Sequence, residues 1–226
     1  MTIQRNFRLR LAVLAGLLFM GPALIAGAQT AAITPVGKSA ILASPGVPFA
    51  GSRNADVTVI EYLDFNCPYC KKTAPVLSAF LAADPKVRVL YRDWPIFGGV
   101  SVYAARAALA ANYQGKYLQA HDALINNPGR LASEANVRDR LKGAGVDLAR
   151  LDRDLVARAT DINALLKRID NEAMHLRFEG TPGFVVGDFI EFGAPDLAAL
   201  RVLAAKTRKN AASGRAFKGL HFLGRT

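Results

Sequence analysis

A chain of 226 residues that is 51% hydrophobic and 21% charged is long enough for one compact domain with a sizeable core. Its formal charge of +11 falls to +8 without the three arginines at its start, and most remaining positives alternate with acids, as in Arg138-Asp139-Arg140. Such dispersal describes solvated helix faces and excludes a nucleic-acid-binding surface.

Residues 1–28 read as a secretory signal. Arg5, Arg8 and Arg10 make a positive n-region, Leu11 to Ile25 is apolar, and Ala26-Gly27-Ala28 offers a cleavage site. The apolar run is shorter than the roughly 20 residues of a spanning helix, so export to the periplasm is expected, with an uncleaved membrane anchor as the alternative. Residues 29–50, broken by Pro35, Pro45 and Pro48, form a flexible leader or surface strap. Gly51 to Asp56 is a turn that launches the first strand.

Val57 to Phe65 is mostly apolar and reads as a central strand covered on both faces. Glu61 interrupts it. A carboxylate there is costly unless paired, solvated or able to take up a proton, so it is either a buried proton acceptor or a strand-edge ion-pair partner. Cys67-Pro68-Tyr69-Cys70 follows and holds the only two cysteines. A strand that feeds a helix through Cys-x-x-Cys is a redox arrangement, because unpaired N–H groups and the positive dipole end stabilise a thiolate. Pro68 suits the first helical position, where no N–H is needed, and Tyr69 and Cys70 complete the turn. No second cysteine pair exists, and His121, His175 and His221 are scattered, so no metal site is expected. Lys71 stands where haem attachment needs histidine.

Lys71 to Leu81 is a helix with Pro75 inside, expected to kink there, and Asp84-Pro85 stops it. Val87 to Asp93 alternates as a second strand, and Trp94 to Gly99 turns out of it. From Val100 to Arg177 about four helices and no strand are expected. Tyr103, Ala107, Ala110, Tyr113 and Tyr117 fall at helical spacing, with Gly115 the weak point and His121 a core or interface residue. Ser133 and Asp147 read as helix caps, as does Thr160-Asp161. Phe184 to Phe192 is a hairpin around Gly187-Asp188. A last helix runs from Asp196 to about Lys206, and residues 210–226 form a basic tail.

The run Glu61 to Lys71, then Arg92 to Ile96, Gln114 to Tyr117 and Gly180-Thr181-Pro182 resembles the DsbA-like family of exported thiol–disulfide oxidoreductases. The subgroup that reads Cys-Pro-Tyr-Cys, including ScsC-like proteins, is the most similar. The resemblance implies an α/β thioredoxin fold, a central mixed sheet flanked by helices, over residues 51–209, with a helical insertion at about 99–178. It further implies that Cys67 is the exposed nucleophile, Cys70 the buried resolving thiol and Glu61 a buried acid. Pro68 and Tyr69 neighbour the pair. Pro182 would be a cis proline facing the site, and the Thr181 backbone would pair with substrate as an added strand. The chain departs from the best-known oxidases where Tyr69 replaces histidine and Thr181 replaces an apolar residue. Tyrosine supplies no positive charge to the thiolate.

The expected function is formation or exchange of disulfides in cysteine-containing substrate proteins by a Cys67–Cys70 redox pair. No cofactor is needed beyond that disulfide, and a membrane redox partner would reset it. The rival readings are a reductase or isomerase working in the reverse direction and a copper-binding thiol protein. The oligomeric state is left open.

Overall fold

The computed structural model describes residues 46–213 and the backbone of residues 221–222; the expected signal, most of the leader and most of the basic tail lie outside these residues. Among the described residues six strands form one mixed sheet: β1 (Phe49–Gly51), β2 (Val57–Leu63), β3 (Val87–Asp93), β4 (Gly183–Val186), β5 (Phe189–Phe192) and β6 (His221–Phe222), in the order β1-β3-β2-β4-β5-β6. β2 and β3 are parallel, with β1 antiparallel to β3, β4 antiparallel to β2 and β5, and β6 parallel to β5. The helices are α1 (Pro68–Ala83), α2 (Gly99–Asn112), α3 (Tyr117–Ile125), α4 (Glu134–Gly143), α5 (Leu148–Ala157), α6 (Ala159–His175) and α7 (Leu197–Ala212).

β2 is central, and its alternation splits the core in two. Val57, Val59 and Leu63 point to the face that also buries Val87, Val89, Phe184 and Val186. There Leu77 and Phe80 of α1 and Leu200 and Leu203 of α7 meet Ala104, Ala107 and Leu124 of α2 and α3. Ile60 and Tyr62 point the other way, to a smaller cluster closed by Ile169, Ala173, Leu176 and Phe178. That face also holds a buried ion pair. Arg92 Nε donates to Glu172 Oε2 at 3.0 Å, Tyr62 donates to the same oxygen, and both charged side chains are essentially solvent-free.

Several expectations need correction. The stretch between β3 and β4 holds five helices, not four, because Tyr103 to Tyr117 does not continue as one element. Gly115 adopts φ +69, and Lys116 N returns to the Ala111 carbonyl, which ends α2 before α3 starts. The Ser133 and Asp147 hydroxyl and carboxylate accept from Asn136 N and Arg150 N, and Asp196 accepts from Ala199 N. Thr160 and Asp161, however, lie inside the first turn of α6, and its N-cap is Arg158, which makes no side-chain cap bond. The leader contributes an edge strand at Phe49–Gly51. The last helix continues to Ala212, where Arg208 is engaged by Asp56 at 2.7 Å and Asp84 at 2.8 Å. α1 is one continuous element through Pro75.

Candidate active site

β2 ends at Leu63, and four residues later the chain enters α1. Two side chains fold this connection. The Asp64 carboxylate accepts from Asn66 N (2.7 Å), Ile96 N (2.7 Å), Phe97 N (3.0 Å) and Ser101 Oγ (2.8 Å). The Asn66 amide accepts from Leu131 N at 2.7 Å and donates to Ser101 Oγ at 3.2 Å. These bonds tie the cysteine loop to the turn after β3 and to the helical block. Sequence reasoning gave Asp64, Asn66 and Ser101 no role; the available signal was two polar residues at the end of a strand that is otherwise buried.

Cys67 is the N-cap of α1, in an extended conformation, with Pro68 at the first helical position. Cys67 N donates to the Asp64 carbonyl, and Lys71 N donates to the Cys67 carbonyl. Both cysteines are free thiols. Cys70 is buried as expected, but Cys67 is not exposed: only 1% of its surface is accessible. The loop before β4 accounts for this, since the Cys67 thiol donates to the Thr181 carbonyl at 3.1 Å. The Thr181–Pro182 peptide bond is cis. Thus Cys67, Cys70, Thr181 and Pro182 converge, while Tyr69 projects outward, 61% exposed.

The two sulfurs are electrostatically unequal. Donation from the Cys70 thiol, opposed by burial and aided by the Thr181 side chain and the N–H groups of Cys70 and Tyr69, lowers Cys67 to about 6. Burial pushes Cys70 far above the ordinary thiol range, and its bond to Cys67 and the Glu61 charge add to this. Around neutral pH Cys67 is therefore mostly ionised, giving up the bond its thiol donates to the Thr181 carbonyl, while Cys70 stays a thiol.

Glu61 is 2% exposed and lies on the same sheet face as Leu63. Its register partners are Tyr91 on β3 and Phe184 on β4, so it is not at a strand edge, and no ion pair holds it among the described residues. Burial first, then Asp93 and Cys67, raises it to about 8. Asp93, a second buried acid, is raised to about 7 by burial against the hydrogen bond it accepts from Tyr117. Lys71 does not serve the thiolate: its ammonium donates to the Leu124 and Asn127 carbonyls at 3.3 and 3.0 Å. Lys72 is solvated. His121 packs against Tyr91 at 4.2 Å between ring centroids and against Phe65. Among the described residues no group of three or more His, Cys, Asp or Glu side chains could hold a metal ion, and no helix is long and apolar enough to cross a membrane.

Residues 58–203 match the DSBA-like thioredoxin domain family. The structure superposes on a thioredoxin-like oxidoreductase of Silicibacter pomeroyi with a TM-score of 0.73 and 38% identity, over 76% of this chain and 98% of that one. The catalytic domain of Proteus mirabilis ScsC gives a TM-score of 0.68 and 26% identity, over 75% and 93%. Over 153 residues the chain is 32% identical to a Na(+)/H(+) antiporter NhaA of Salinispora arenicola; the match covers 66% of this chain but only 23% of that protein.

Proposed function

The chain belongs to the DSBA-like thioredoxin domain family of thiol–disulfide oxidoreductases, and on that premise we propose that it is exported and exchanges disulfides in cysteine-containing proteins through Cys67 and Cys70. The observation that carries this reading is the unequal sulfur pair at the start of α1, set against the cis Thr181–Pro182 loop. In the oxidising direction a substrate thiolate attacks Cys67 Sγ of the disulfide. The Cys67–Cys70 bond breaks, and Cys70 leaves with the electron pair. The surroundings of Cys70 disfavour a thiolate, so it takes a proton, and Glu61 is the buried acid that supplies it. A second substrate thiolate then attacks the substrate sulfur of the mixed disulfide. The substrate leaves oxidised, Cys67 leaves as the stabilised thiolate, and a membrane redox partner restores the disulfide.

Substrate recognition falls to the loop and its surroundings. The Thr181 carbonyl now covers Cys67, so an incoming chain must replace that contact. An extended peptide that pairs with the Thr181 backbone does so without demanding a sequence, and exposed Tyr69, Ile96 and Phe97 offer apolar surface beside it.

Lowering the pKa of Cys67 stabilises the reduced pair by about 1.4 kcal/mol for each unit by which that pKa falls, which makes the disulfide more oxidising. Equilibration against glutathione buffers tests this. A potential well above about −200 mV supports oxidation of substrates, whereas one near about −270 mV assigns the protein to reduction. If Cys67→Ala retains exchange with a reduced, unfolded protein, the pair is not the active centre.

A further inference from the structure

β2 and β3 carry two buried carboxyls on one face of the sheet. The parallel register pairs Glu61 with Tyr91 and Leu63 with Asp93, which makes Glu61 and Asp93 diagonal neighbours, about 8 Å apart at Cα on a ladder of this spacing. Both face the cluster that contains Cys67 and Cys70. Asp93 is 1% exposed, its Oδ1 accepts from the Tyr117 hydroxyl at 2.7 Å, and its Oδ2 is buried without a hydrogen-bond partner among the described residues. The titratable groups packed around the two acids are Cys67, Cys70 and Lys71 of the α1 start, Asp64 of the connecting loop, Tyr91 of β3, and Tyr117 and His121 of α3. The two cations nearest by chain, Lys71 and Arg92, are held elsewhere: Lys71 by the helical block, and Arg92 on the opposite face by Glu172.

We propose that Asp93 is a positioning residue for Glu61: the two buried carboxyls share protonation, and the charge on Asp93 keeps a proton on Glu61 near neutral pH, ready to exchange with Cys70. Two carboxyls in one low-dielectric pocket do not both ionise freely, so the proton count belongs to the pair. The Tyr117 hydroxyl sets which member carries the charge, because its bond favours ionised Asp93.

The inference rests on the redox reading above, and one reagent separates the two. Reduced protein is mixed with 5,5′-dithiobis(2-nitrobenzoate). In the first phase the Cys67 thiolate attacks the reagent and releases one aryl thiolate. In the second phase Cys70 gives its proton to the Glu61 carboxylate, and its sulfur attacks Cys67 Sγ. The bond between Cys67 Sγ and the aryl sulfur breaks, the second aryl thiolate leaves with the electron pair, and the protein disulfide forms. The protein is oxidised by two electrons and the reagent reduced. Asp93→Asn should move the pH midpoint of the second phase down by about one unit and leave the first phase in place. Glu61→Gln should slow the second phase by about a hundredfold, and adding Asp93→Asn to it should bring no further shift. An unmoved midpoint in Asp93→Asn overturns the proposal, as does an equal shift with and without Glu61. If Asp93→Asn does not fold, Tyr117→Phe tests the same coupling: a smaller downward shift supports it and an unmoved midpoint overturns it. Absence of any second phase in the unaltered protein would instead sink the redox reading.

Discussion

Within one Cys-x-x-Cys, position along the helix start decides what each sulfur does. Cys67 caps α1 and receives the Cys70 thiol together with the first N–H groups of the helix; Cys70 sits one turn deeper, against the sheet and Glu61. Alkylation of the reduced protein by iodoacetamide should therefore rise with a midpoint near pH 6, the lowered value of Cys67. Cys70→Ala removes the largest stabilising donor and should raise that midpoint by about one unit; a midpoint unchanged from the parent would locate the stabilisation in the helix start alone. Cys70→Ser should in addition accumulate mixed disulfides on Cys67, visible as reducible adducts in a denaturing gel. Much of this was legible in the sequence, since spacing, Pro68 and the strand before it define a thiolate site. The burial of Cys67 was not, because the residue that covers it, Thr181, lies 114 positions away in the chain.

Elements are held in place here by a few buried polar side chains. Asp64 satisfies two backbone N–H groups after β3 and the Ser101 hydroxyl, so Asp64→Ala strands several donors at once. A loss of at least about 3 kcal/mol is expected, read as a lower denaturant midpoint together with a perturbed Cys67 titration. Glu172→Ala takes the carboxylate from a fully buried guanidinium on α6's side of the sheet and should cost about 3–5 kcal/mol, with the Cys67 titration unmoved. The contrast separates an element that shapes the site from one that only anchors the sheet. Asp196→Ala, a lost cap on α7, should cost only about 1 kcal/mol. Caps such as Ser133, Asp147 and Asp196 could be read locally because each bonds within three residues. Asp64, Asn66 and Glu172 could not, since the bonds by which they join separate elements reach partners 32 to 110 positions away.

For the whole molecule, two acids raised by burial set the pH dependence of the reduced fold. The folded protein holds protons on Glu61 up to about pH 8 and on Asp93 up to about pH 7, whereas the unfolded chain releases them near the ordinary carboxyl values of 4.5 and 3.8. Between those limits the native state binds more protons, so their contribution to stability is full at low pH and is lost as pH rises toward 8. Cys67 acts oppositely, adding stability from about pH 6 up to 9. Glu61→Gln should raise the melting temperature of the reduced protein at pH 8 and leave it nearly unchanged at pH 4. An equal gain at both pH values would show that Glu61 is not buried as a charged group. By itself the sequence placed the strands, most of the helices and the Cys-x-x-Cys at a helix start, because period, caps and turn residues act over a few positions; the buried acid at Glu61 and the Thr181-Pro182 loop facing the site were implied only by the family resemblance. The tertiary structure decided that Glu61 lies inside the sheet and not at an edge, that Thr181 seals Cys67, and that Asp93 joins Glu61 on one face. Those facts depend on register and on long-range packing, through which burial changes the proton affinity of groups that look ordinary in the chain.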